Sequence, residues 1–165
     1  AALAPTGRRP SATVVAAALA AQAALAAPLP TVLLRGVVTQ RMDTPLAALW
    51  APIASVQRTG GVAGLVDASS EVDATALRQA ERHGVLVQAL LISQPEGLAS
   101  AWDIADILLR SGAVDLVVLY RVVLDGRHLH YLARSAGAHR AAVLVVHPTP
   151  AQAAWACLKQ LGKGA

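Results

Sequence analysis

The sequence predicts an α/β domain of three layers, with a mostly parallel sheet of about five strands between two layers of helices. Three observations lead there. The apolar runs at 85–92 and 113–119 show no alternation of polar with apolar residues, as strands covered on both faces should not. Between them Leu98, Ala101, Trp102, Ala105, Leu108 and Leu109 recur at helical spacing, with Asp103, Asp106 and Arg110 on the opposite side. Similar apolar runs and helical patterns flank this unit on both sides. At 165 residues the chain suits one domain with a real core, and with 55% hydrophobic but only 3% aromatic residues and no Phe, that core must be built from Ala, Val and Leu.

The elements follow in order. The stretch 1–30 reads as a tail and an Ala-rich helix, and 31–165 as the α/β domain. Ser11 is a plausible N-cap for a helix over 11–27. Arg8 and Arg9 ahead of an apolar run ending in small residues fit the outline of a secretory signal peptide as well as a packing helix. The run is too short and too weakly apolar for a membrane span, so no membrane partner is expected. Pro28 and Pro30 stop it, and 31–39 reads as a strand bent at Gly36. Thr44 and Pro45 are an N-cap and first-turn pair that starts a helix over 46–58. Gly60 and Gly61 turn the chain into a strand at 62–66, Ser70 or Asp73 caps a helix over 74–83, and Gly84 ends it.

In the central unit, Ser93 and Glu96 have capping-box spacing with Pro95 inside the turn, and Gly112 supplies the left-handed stop. A helix over 127–138 has Leu129, Leu132, Ala133 and Ala136 inward and is loosened at Gly137. The strand 141–146 and a helix over 151–161, capped by Thr149, complete the chain. Trp50, Trp102, Trp155 and Cys157 read as core residues.

Residues 91–96, Leu-Ile-Ser-Gln-Pro-Glu, and the later run 105–118 resemble the core of the bacterial recombinase RecA. Upstream, 56–68 followed by Val72 and Asp73 resembles the preceding RecA segment in order and spacing, so the resemblance covers about the middle half of the chain. It implies the RecA-like (P-loop NTPase-type) fold and a nucleotide site at the ends of the strands. The chain departs from that site at three positions. A phosphate-binding loop needs glycines whose N–H groups wrap the phosphates, a Lys, and a Ser or Thr for magnesium. Here Pro45 stands where the lysine falls, no glycine lies between Val37 and Pro45, and Asp43 would repel phosphate. Ser69 stands at the catalytic glutamate, with Glu71 two places on, and Tyr120 at the aspartate that holds magnesium. His147 stands near a polar position that senses nucleotide. A degenerate site, with no catalysis and no cofactor, is the expectation.

Among reduced RecA-like proteins the chain resembles ImuA, the accessory protein found with an inactive-type polymerase subunit in bacterial mutasomes. This implies a non-catalytic part in the DNA-damage (SOS) response and translesion synthesis, with RecA or a polymerase subunit as partner. SulA, which blocks cell division by binding FtsZ, is the second resemblance. The net charge of +4 and a pI near 10.0 are compatible with an anionic partner. Arg127, His128, His130, Arg134, His139 and Arg140 make a basic cluster that fits single-stranded DNA or a protein partner, or simply a solvated helix face. His128 and His130 are two apart and diverge on a helix, so no metal is expected. One cysteine excludes an internal disulfide and points to the cytoplasm.

Overall fold

The computed structural model describes residues 11–162, in which the chain runs α1 Ala12–Ala26, β1 Val38–Met42, α2 Trp50–Arg58, β2 Ala63–Asp67, α3 Ala74–Arg82, β3 Leu90–Ser93, α4 Leu98–Ser111, β4 Leu116–Tyr120, α5 Gly126–His139, β5 Ala142–His147 and α6 Pro150–Gly162. All five strands pair parallel, in the order β1-β5-β4-β2-β3. Period-two alternation sends Leu65, Leu116, Val118, Leu144 and Val146 to one face, where Trp50 and Ile53 of α2 and Ala76 and Ala80 of α3 cover them. Val66, Val117, Leu119, Val143 and Val145 take the other face, beneath Ala101, Ala105 and Leu109 of α4 and Leu132 and Ala136 of α5. The result is the expected α/β sandwich of three layers, and small side chains on both helix layers let the helices approach the sheet closely.

Several local expectations give way to packing. The strand expected over 31–39 begins only at Val38: the preceding residues form a turn at Gly36, whose φ of +76° suits glycine, and whose N–H donates to Ala141 O. The helix expected from 46 opens as a 3-10 turn, Leu46–Leu49, and becomes α-helical at Trp50. Pro52 has no N–H to give to residue 48, so the regular ladder starts late. Pro45 sits at the N-cap position with extended backbone, and no side chain caps this end. The expected strand over 85–92 shortens to β3, preceded by a 3-10 turn, Val87–Ala89. Gln57 of α2 is the cause: its amide accepts from Leu86 N and donates to Leu86 O, taking that residue out of the sheet.

Strand β3 is an edge, and Leu91 and Ile92, expected to be dry, are 49% and 36% exposed. Helix α4 starts after Gly97 rather than in the expected capping box of Ser93 and Glu96, but ends at left-handed Gly112 as expected. Helix α5 runs through Gly137 and stops at Arg140, φ +54°, and Ala133 is exposed rather than inward. Asp73 caps α3, and Thr149 and Gln152 cap α6 reciprocally. Trp50 is fully buried, Trp102 half-buried, and Trp155, expected inside, is 63% exposed. Ser11 caps α1 as expected, yet no residue of α1 is buried, so it is not a core-packing helix. The expected tail over 1–10 and the expected burial of Cys157 lie outside the described residues.

Candidate functional site

In a parallel α/β sheet, ligand chemistry collects at the carboxyl ends of the strands. Here those ends carry an unusual backbone. Asp43 directly follows β1, Ser70 lies just beyond β2, and Arg121 directly follows β4, and all three adopt left-handed φ of 55° to 57° without being glycine. Conformations of this kind cost free energy and persist where surrounding contacts hold them.

Those contacts centre on Asp67, the last residue of β2 and fully buried. One carboxylate oxygen accepts from Ser69 N at 3.0 Å and Ser69 Oγ at 2.6 Å. The other accepts from Val72 N at 2.8 Å and from the Gln94 amide at 3.2 Å, which also donates to Val72 O. Such a buried carboxylate is tolerated because its lone pairs are taken. It folds the chain over 67–72 back on itself and ties it to the end of β3.

Beside it, Arg121 Nε donates to Glu71 at 3.1 Å, and the guanidinium carbon lies 5.1 Å from the centre of the Tyr120 ring. Tyr120 is buried against the α2 side of the sheet, in the same cluster as Trp50. No hydrogen bond of good geometry reaches its hydroxyl among the described residues, nor the Trp50 indole N–H. Burial first, and then the nearby Glu71 carboxylate, push the Tyr120 hydroxyl up to about 12. Across β5, His147 Nε2 lies 2.9 Å from Gln40 Oε1, and burial lowers the imidazole below its ordinary value.

The three positions that depart from the nucleotide-site pattern are thus brought to one rim and given other work. Pro45 is exposed at the start of a 3-10 turn three residues beyond β1, in a connection without glycine. Ser69 spends both its N–H and its hydroxyl on Asp67. Tyr120 is a core side chain. Glu71, the nearby acid, is engaged by Arg121. Asp67, Gln94 and the Glu71–Arg121 pair were not singled out by sequence reasoning, because partners 27 and 50 residues apart obey no spacing rule.

The basic cluster divides. Arg127, His130 and Arg134 are exposed and fall at i, i+3 and i+7, one stripe of α5. His128 turns away: its ring packs 4.5 Å from Trp102, and its Nδ1 lies 3.4 Å from Asp125 N and 3.0 Å from Asp125 Oδ1, closing the cap of α5. That capping network holds the Asp125 carboxyl below its ordinary value. Tyr131 joins the same inner side through Trp102, at 5.4 Å, and Asp106, at 2.6 Å. Arg140 and His139 are exposed at the far end of the helix. Among the described residues no group of three His, Cys, Asp or Glu is placed to hold a metal ion, and no helix is long and apolar enough to cross a membrane.

A five-stranded, all-parallel sheet between two helix layers is the architecture of a RecA-like three-layer domain. More narrowly, residues 43–125, half of the chain, match the RecA N-terminal domain, and the chain belongs to that family. Over 67 residues, 41% of this chain, it is 46% identical to protein RecA of Tropheryma whipplei, 49% to that of Methylococcus capsulatus and 52% to that of Desulfovibrio desulfuricans. These stretches are 15% of the first RecA and 18% of the other two, so the chain spans a small part of the relatives it matches. In fold it is similar to SulA from Pseudomonas aeruginosa, with a TM-score of 0.56 at 18% identity, covering 68% of this chain and 98% of SulA.

Proposed function

We propose that this is a non-catalytic RecA-type accessory protein of the bacterial DNA-damage response, acting in translesion synthesis by binding RecA, a mutasome polymerase subunit, or both, in the manner of ImuA. The observation that carries the reading is the rim. The lysine, glutamate and aspartate positions hold Pro45, Ser69 and Tyr120, and Ser69 and Tyr120 are committed to the hydrogen bonding and packing of the fold itself. What persists is a stretch close in sequence to RecA, which supports a role beside RecA rather than as a motor. The exposed stripe of Arg127, His130 and Arg134 is available to an acidic partner or to DNA phosphates.

The test is the single-strand-dependent ATPase rate of RecA, titrated with this protein at moderate salt. Inhibition or stimulation reaching a plateau at stoichiometric ratios is the expected result. An unchanged rate, with polymerase subunits also left unbound, overturns the reading. The second reading, a SulA-like inhibitor binding FtsZ, draws on the fold likeness that spans nearly all of SulA. It predicts loss of FtsZ GTPase activity on titration, with RecA unaffected.

A further inference from the structure

We propose that the edge of β1, unpaired among the described residues and flanked by α1, is a binding groove for an extended apolar peptide segment carrying a carboxylate. The site stands apart from the rim and from the role proposed above. Val143 N donates to Val37 O, so in a parallel ladder the odd residues of β1 aim their backbone at β5, while Val38 and Gln40 turn theirs outward. Helix α1 packs beside β1, and Ala21, Ala24 and Leu25 line one side of an open groove of about 650 Å³ whose other walls include Leu33 and Val38.

Arg41 is the one charged side chain on the walls among the described residues. It is half-buried and spends one NH1 bond on Gln40 O at 2.8 Å, while among the described residues it makes no salt bridge and its Nε is buried without a hydrogen-bond partner. A guanidinium partly withdrawn from water in an apolar groove selects a carboxylate. An unpaired strand edge selects an extended backbone, with alternate side chains entering the apolar walls. Charge argues against a second copy as the occupant. A two-fold pairing of β1 centred on Gln40 would set two Arg41 guanidinium groups near each other.

The probe is a fluorescein-labelled, end-blocked pentapeptide, Val-Glu-Val-Thr-Val, titrated with the full chain and followed by fluorescence anisotropy. Saturable binding is expected, weakened ~10-fold or more when the peptide's Glu is replaced by Gln, and by a similar factor in Arg41→Gln. Ala24→Trp, at an exposed position of α1, is expected to fill the groove and abolish binding while circular dichroism shows the fold intact. No saturable binding to the wild-type chain, or equal binding by the wild type and both variants, overturns the proposal. So does a dimer in sedimentation that Ala24→Trp abolishes, which would give the groove to a second copy.

Discussion

The rim at β2 and β4 and the margin at β1 and α1 are finished in opposite ways. At the rim, a buried carboxylate has four donors, a strained arginine is pinned by an ion pair and a ring, and a tyrosine fills the core. At the margin, a helix of fifteen residues buries none of them, Val14, Val15 and Leu19 face outward, and a cation lies half-buried without an acid among the described residues. The difference shows where this sequence has invested specificity. Residues that could serve chemistry at the rim serve the fold, whereas the margin keeps apolar surface and strand edge open to something else.

The largest expected effect breaks the rim. Asp67→Ala leaves the N–H groups of Ser69 and Val72 and the Ser69 hydroxyl without their acceptor and the Gln94 amide with Val72 O alone, and is expected to cost about 3 to 5 kcal/mol in urea unfolding. A loss below ~1 kcal/mol would mean that water replaces the carboxylate freely and that the rim is not closed.

Tyr120→Phe sharpens the same point with the opposite sign. A buried hydroxyl without a good partner is a cost, so its removal should leave stability unchanged or raise it by about 1 kcal/mol. Destabilisation would mean that the hydroxyl bonds Glu71 after all.

Between the two regions lies His147, with its imidazole lowered by burial and paired to Gln40 of β1. In the unfolded chain this group binds a proton near its ordinary value; in the fold it does so only at lower pH. Below about pH 6.5, therefore, the unfolded state holds more protons and stability falls as the pH is lowered towards the folded value. Unfolding series between pH 7.5 and pH 5 should show this decline, and His147→Gln should flatten it. An unaltered slope in the variant would assign the decline to other groups.

The smallest effect is at the margin. Leu19 is 60% exposed, and Leu19→Lys is expected to change stability by less than about 0.5 kcal/mol. A loss of 2 kcal/mol or more, of the size expected for truncating a core leucine such as Leu132, would show that α1 is packed in solution and that the two regions are alike.

Much of the fold was legible because it rests on local chemistry. Strands β2, β4 and β5 announced themselves as apolar runs, the α4 stripe by its period, and Gly112, Asp73 and Thr149 by the turn or cap they supply. Failures arose where distant residues overruled local preference. Gln57 removes Leu86 from a strand that its neighbours favour, and Pro52 delays a helix that Pro45 would otherwise start. Likewise Pro45, Ser69 and Tyr120 could be named as departures from the nucleotide-site pattern, since a side chain's chemistry is fixed by its identity. What fills their place could not, because Asp67 with Gln94 and Glu71 with Arg121 meet only when three strands align. One of the six residues of the basic cluster departs from the exposed set: His128 neighbours Arg127 in sequence, but packing sends its ring to Trp102.

Whether the strand-end rim of this RecA-family domain is closed to nucleotide is decided by thermal unfolding with and without ATP and magnesium. An unchanged midpoint at millimolar ATP is expected. Binding at about a hundred times the dissociation constant would add roughly 2.7 kcal/mol, a rise of about 5 °C or more for a domain of this size. A rise of that order that Arg121→Ala or Asp67→Ala removes would contradict closure.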